Sequence, residues 1–323
     1  AWGLTPETDL VVQLHMLPSG KVEPVRPELG LYFADGPPTE TPMMIRLGKR
    51  LIDIPAGEAA YEIADGYRLP VDVEVRSLFP HAHSLGQDLE GFATLPDGTK
   101  RWLVRVRDWD FNWQDEYRFR EPLVLPAGTT LAMRFTFDNS ASNIQNPNDP
   151  PLRVRYGPST FDEMGDLWIQ VVPRNARDRD TLQQHYAAFD RDRNLARYRE
   201  LVARDPDDPA ARNELGNRLM RAGRPVDALA SFREAVRVDP DYLPAVRNLG
   251  ITLLNARAYD EAAGQFERVL AVEPRDAESH ANLGTALAMS GRIEQAVPSF
   301  REAIAIRETF PRARYQLARA ARR

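Results

Sequence analysis

Hydrophobic and polar positions change their period once along this chain, near residue 174. Upstream, short apolar runs alternate with polar residues. Val71-Asp72-Val73-Glu74-Val75 alternates strictly, and the stretch from Thr130 to Phe137 does so again. A period of two marks a half-buried strand. Asp9 to His15, Leu29 to Ala34 and Ile52 to Gly57 read as further strands. Phe92 to Leu95 and Arg101 to Val106 flank Pro96-Asp97-Gly98-Thr99 as a hairpin, and Pro126-Ala127-Gly128-Thr129 marks a second turn. Short strands with a turn signal roughly every 8–12 residues predict an antiparallel β-sandwich.

Downstream the period is helical, with a longer repeat laid over it. Leu215-Gly216, Leu249-Gly250 and Leu283-Gly284 recur 34 residues apart, and Ala228, Ala262 and Ala296, then Phe232, Phe266 and Phe300, keep the same spacing. So do Pro206, Pro240 and Pro274. Gly and Ala would let paired helices approach, with Phe filling the gap. The pattern resembles the tetratricopeptide repeat and covers three repeats. Tyr198 fits the Phe position of a degenerate preceding repeat, and Leu317 the start of a fourth, so the last helix caps the stack. Such solenoids bind peptides or proteins on a concave face. By register, Asn213, Asn217, Arg221, Arg247, Ile251, Asn255 and Met289 line it. Two Asn and two Arg would grip a carboxylate, although Glu278 stands where a carboxylate clamp wants a cation. His280 reads as a helix-packing residue and His185 as a solvated surface one.

Composition divides at the same place. Residues 1–174 hold 18 of the 26 Pro, 13 of the 19 Gly and all five Trp. The expected architecture is multidomain β plus α, an antiparallel β-sandwich followed by an all-α solenoid. There is no Cys, which excludes disulfides, thiolate metal sites and Cys nucleophiles. The net charge of −5 points away from nucleic acid. No run of 18 apolar residues predicts a transmembrane helix.

The candidate chemistry lies in Pro80-His81-Ala82-His83-Ser84-Leu85-Gly86. Only five His occur in the chain, and two are here. If the preceding strand continues, His81 and His83 share one face, a pair of neutral imidazole ligands. The alternative is two hydrogen-bonded histidines at a strand end. Asp162-Glu163-Met164-Gly165-Asp166 precedes another apolar strand, and a thioether beside two imidazoles selects copper. Core filling is the alternative for Met164. Asp108-Trp109-Asp110-Phe111-Asn112-Trp113-Gln114 is an aromatic, polar knot, favoured as a packed loop over a cleft wall. The loop from Asp138 to Pro150 carries many oxygens without the ordered spacing of a calcium site.

Three segments, in order, carry a resemblance over residues 10–173: Leu14-His15-Met16, Ile54-Pro55-Ala56-Gly57-Glu58 with His81-Ala82-His83-Ser84-Leu85-Gly86, and Asp162-Glu163-Met164-Gly165-Asp166-Leu167. They resemble the copper type II, ascorbate-dependent monooxygenases, the family of peptidylglycine α-hydroxylating monooxygenase and dopamine β-monooxygenase. The resemblance implies a jelly-roll-like fold. It also implies an oxygen-site copper on His81, His83 and Met164, with an external reductant such as ascorbate. His15 matches a ligand of a second copper, whose adjacent His pair does not appear upstream here. Where the peptide-hydroxylating relative holds its substrate with Arg and Asn, this chain has Phe79 and Asp166, so an amidated-peptide substrate is not expected.

The expected domains are 1–42, the end of a first β domain; 43–174, a second β-sandwich; 175–206, a helical connector or degenerate repeat; and 207–323, three repeats and a cap. The resemblance implies copper-dependent C–H hydroxylation by O₂, with repeats that recruit a protein. The alternative is a non-catalytic copper-binding or scaffold protein whose repeats recruit the partner. An extracytoplasmic location is expected from copper loading and the family's habits.

Overall fold

A computed structural model describes residues 11–12, 20–22, 24–32, 36 and 40–320. His15, and all but Val11 and Val12 of the strand expected over Asp9 to His15, lie outside the described residues. Residues 29–32 form no strand. Leu29, Leu31 and Tyr32 are exposed, so their alternation meets no partner sheet. Contacts divide the chain into two compact units, residues 1–186 and 187–323.

Among the described residues, the first unit contains ten strands. They are β1 (Met43–Gly48), β2 (Asp53–Ile54), β3 (Tyr61–Arg68), β4 (Val73–Ala82), β5 (Gly86–Thr94), β6 (Lys100–Val106), β7 (Tyr117–Leu125), β8 (Thr130–Phe137), β9 (Val154–Arg155) and β10 (Gly165–Pro173). Two four-stranded antiparallel sheets run β1-β10-β4-β7 and β3-β8-β5-β6, and β2 pairs with β9. The chain crosses between the sheets repeatedly, as in a jelly roll.

Alternation decides the inner faces. Leu131, Met133, Phe135 and Phe137 point inward from β8, opposite Ile45, Leu47, Leu167 and Ile169 of the other sheet. The sheets meet closely enough that a Cβ on Gly165 would lie 2.4 Å from Ile63, and one on Gly91 2.7 Å from Leu167. Edge strand β1 is covered by side chains. Tyr186 Oη accepts from the Arg46 N–H at 2.9 Å and donates to the Arg46 carbonyl at 3.0 Å. Those bonds satisfy backbone groups that no strand pairs.

Helix α1 (Ala176–Arg204) carries the chain into the second unit. There follow α2 (Pro209–Arg221), α3 (Pro225–Val238), α4 (Leu243–Asn255), α5 (Tyr259–Val272), α6 (Ala277–Met289), α7 (Ile293–Ile306) and α8 (Pro311–Ala320). Each repeat is a helix pair closed by one contact. A Cβ on Gly216, Gly250 or Gly284 would lie 2.5, 2.9 or 2.7 Å from the ring of Phe232, Phe266 or Phe300. Those three rings are buried together with Ala228, Ala262 and Ala296 in one continuous core.

Candidate metal centre and peptide groove

β4 stops at Ala82, one residue short of His83. The alternation expected to align two imidazoles therefore reaches His81 alone. His81 lies opposite Asp166 on β10 and stacks on Phe79, with ring centres 6.4 Å apart. His83 sits buried in the crossing from β4 to β5. The chain bends there, yet the two imidazoles stand edge to face with centres 5.2 Å apart. Phe111 packs edge-on against His83 at 5.5 Å.

Hydrogen bonds fix the tautomer of each ring. His81 Nδ1 lies 2.5 Å from Gln114 Oε1, while Gln114 Nε2 donates to the Phe111 carbonyl. His83 Nδ1 lies 2.9 Å from the Asp162 carbonyl. Both partners are acceptors, so each Nδ1 donates, and in a neutral ring held this way the lone pair is on Nε2. A metal-ligating imidazole is held in this way.

Met164 is half-buried and immediately precedes β10. Ala82 pairs with Gly165, so His83 and Met164 each sit one residue beyond the same end of the ladder. The carboxyl of Glu163, fully buried, joins them. Its Oε1 accepts the N–H of His83 at 2.5 Å and that of Met164 at 2.8 Å, and its Oε2 accepts that of Leu85 at 3.0 Å. Burial pushes this carboxyl up to about 8, against the pull of the three N–H donors.

The set His81, His83 and Met164 offers two imidazoles and a thioether, which suits Cu(I) in donor chemistry and in tautomer. Among the described residues no group of three or more His, Cys, Asp or Glu could hold a metal ion. Asp166 is spent elsewhere, since Arg46 clamps both its oxygens at 2.6 and 2.8 Å. The aromatic knot turns out to have two roles. Trp109 fills the core, whereas Phe111 and Gln114 wall the histidines. Sequence reasoning passed over Gln114 and Glu163. Their only signals were an amide inside a Trp-rich loop and an acid beside a candidate ligand. The loop from Asp138 to Pro150 satisfies itself: Asn139 Nδ2 donates to the Ile54, Pro55 and Leu152 carbonyls, and Asn146 Nδ2 to Asn139 Oδ1.

In the helical unit the first helices of successive repeats stand side by side. Asn248 Nδ2 donates to Asn213 Oδ1 at 2.8 Å and to Asn217 Oδ1 at 3.2 Å, and Arg312 donates to Asn282 Oδ1 at 2.6 Å. Asn213 is buried by that ladder. Arg247 is neutralised by Glu273 at 2.5 Å and Asp276 at 3.1 Å. The predicted grip of two Asn and two Arg is therefore not assembled, because Asn213 and Arg247 are used inside the fold. Arg247, Glu273, Arg275, Asp276 and Glu278 line an open groove of ≈ 720 Å³. Arg221, Ile251, Asn255 and Met289 are exposed. Glu278 pairs with Arg307 at 2.7 Å. His185 is exposed yet bonds Tyr67 Oη at 2.9 Å, and His280 bonds the Pro274 carbonyl at 3.0 Å.

No helix among the described residues is long and apolar enough to cross a membrane. No curated protein matches the sequence. Solved structures to which parts of the chain are similar include MamA from Desulfovibrio magneticus RS-1, at 20% identity over 45% of this chain and 87% of that one, with a TM-score of 0.38. The second TPR domain of human RPAP3, determined with an HSP70 peptide, is similar at 17% identity over 35% and 93%, with a TM-score of 0.33. YrrB, a TPR protein with an unusual peptide-binding site, is similar at 22% identity over 38% and 63%, with a TM-score of 0.36. The tetratricopeptide repeat family model matches residues 184–242 and 247–309, and the helix pairs of this chain are tetratricopeptide repeats.

Proposed function

We propose that this chain recruits a protein partner through its repeats and that its β unit binds copper. The carrying observation is the repeat stack itself, with a row of side chains left over once the fold has used its own. Arg221, Asn255 and Met289 occupy one register, and Ile251 lies in the next. An exposed cation and amide beside two exposed apolar side chains suit an extended peptide that offers an apolar residue next to a carboxylate. A peptide array probed with the wild type and with Arg221→Glu and Met289→Glu tests this. Peptides bound by the wild type and lost in both variants support the groove. Binding that both substitutions leave intact sinks it.

The copper reading rests on the two Nδ1 bonds, which hold the imidazoles of His81 and His83 with their ring centres 5.2 Å apart. Met164 completes a soft set. Cu(I) competition titrations under anaerobic conditions check it. One ion per chain is expected, lost in His83→Ala and weakened in Met164→Ala. A wild type with no tight Cu(I) ends this reading and leaves the recruiting role standing.

A second reading, C–H hydroxylation by O₂, is favoured by the aromatic surround. Phe79 and Phe111 flank the histidines, and Trp113 and Phe161 are exposed on the loops that carry Gln114 and Asp162. Copper bound there would supply O₂ activation. The protein's own part is to hold the imidazoles through Gln114 and the Asp162 carbonyl and to present an apolar rim to a substrate. Consumption of O₂ with ascorbate no faster than free copper achieves would discard it.

A further inference from the structure

Both flanking ligands of the copper reading lie where the sheet no longer holds them. The β4–β10 ladder ends at Ala82 and Gly165, so neither the His83 nor the Met164 N–H has a strand partner. A single carboxyl takes the place of the missing ladder. One of its oxygens receives both N–H groups, and the other receives the N–H of Leu85, two residues further along the crossing. Its own backbone is pinned in turn, since the Glu163 N–H donates to the Arg155 carbonyl at 2.9 Å.

The choice of residue is informative. Glu163 is fully buried, and among the described residues no Lys, Arg or His pairs with it. Burying an acid without a cation is expensive. A glutamine would be cheaper to bury, but it offers one acceptor oxygen, and its NH₂ would face the Leu85 N–H. Only the ionised carboxylate accepts on both sides with no hydrogen of its own to place.

We infer that Glu163 is a positioning residue for the copper centre, tying the backbone of His83 to that of Met164 so that imidazole and thioether converge on one ion. This rests on the copper reading above. An outer group of this kind typically changes metal affinity by about 10–100-fold.

The test measures Cu(I) affinity by competition, and the sulfur shell of bound Cu(I) by X-ray absorption, in the wild type, Glu163→Ala, Glu163→Asp and Glu163→Gln. Tryptophan fluorescence shows which variants fold. Glu163→Ala is expected to bind at least about tenfold more weakly and to lose the sulfur shell, with the nitrogen shell kept. Should it not fold, Glu163→Asp is the informative variant. Its shorter side chain fails to span both backbones, and the same loss of sulfur is expected. Glu163→Gln keeps an acceptor toward His83 and Met164, and is expected to retain the sulfur shell. Folded Ala or Asp variants with wild-type affinity and an intact sulfur shell would overturn the inference while leaving the copper site in place. A wild type that binds no Cu(I) would overturn both.

Discussion

The two units of this protein solve the same packing problem by opposite routes. In the helical unit the closing contacts join helices next to one another in the chain, and one solution is used three times. Gly216 meets Phe232, and 34 and 68 residues on Gly250 meets Phe266 and Gly284 meets Phe300. In the β unit the closing contacts are distant and unrepeated. Gly165 meets Ile63, Arg46 clamps Asp166 across 120 residues, and Glu163 reaches back 80 residues to His83. A repeat array should therefore fail locally and a sandwich as a whole.

All five Trp precede residue 174, so tryptophan fluorescence follows the β unit while helical circular dichroism follows the repeats. The sharpest break is Phe266→Ala, which empties a fully buried ring site at the middle of the stack. A loss of about 3–5 kcal/mol is expected, seen in urea as an early helical transition with the tryptophan transition unmoved. Movement of both signals together would deny that the units unfold separately.

Gly165→Val is the mirror experiment in the sandwich. Its side chain collides with Ile63 and Phe137. Overpacking of this kind costs about 1–3 kcal/mol, and here the tryptophan transition should move alone.

Smaller effects sharpen the repeat side. Asp276 caps α6, accepting from the Glu278 N–H and the Ser279 hydroxyl. Burial pushes its carboxyl up, but Ser279, Arg247 and the cap amides outweigh burial and hold it below its ordinary value of 3.8. A depressed carboxylate stabilises the fold above that ordinary value and loses the contribution as pH falls through the folded one. Asp276→Ala should cost about 1 kcal/mol at pH 7, and less as the pH is taken down through and below the ordinary carboxylate value, in helical melts across that range.

The smallest effect has the opposite sign. The turn inside each repeat uses a left-handed residue, Gly223 at φ 71°, Arg257 at φ 63° and Gly291 at φ 89°. Only the middle repeat places a side chain there. Arg257→Gly should stabilise the helical unit by up to about 1 kcal/mol, read as a later helical transition. An unchanged or earlier transition would mean that the Arg257 side chain contributes more than its backbone costs.

How much was legible in advance follows from the same contrast. The strands around Val73 to Val75 and Thr130 to Phe137 and the hairpin at Pro96 to Thr99 could be read because period and turn chemistry are local. Leu29 to Tyr32 carries the same alternation and forms no strand, because a strand needs a partner that the pattern does not encode. His81 and His83 were legible as a pair. The reason given for them, one face of a continuing strand, was not the one the fold uses. Asn213 and Arg247 matched the groove register, but register says nothing about a neighbour that already holds the side chain.

The sequence by itself determined the two-part architecture and the 34-residue stack. Each of these is written in spacings of a few residues, where helix and strand geometry leave little choice. The tertiary structure alone decided which nitrogen of each imidazole carries its proton and which polar groups of the groove are spent on the fold. It also brought Glu163 beneath His83 and Met164. Those facts depend on strands and helices far apart in the chain, and a hydrogen bond is made only when both partners arrive.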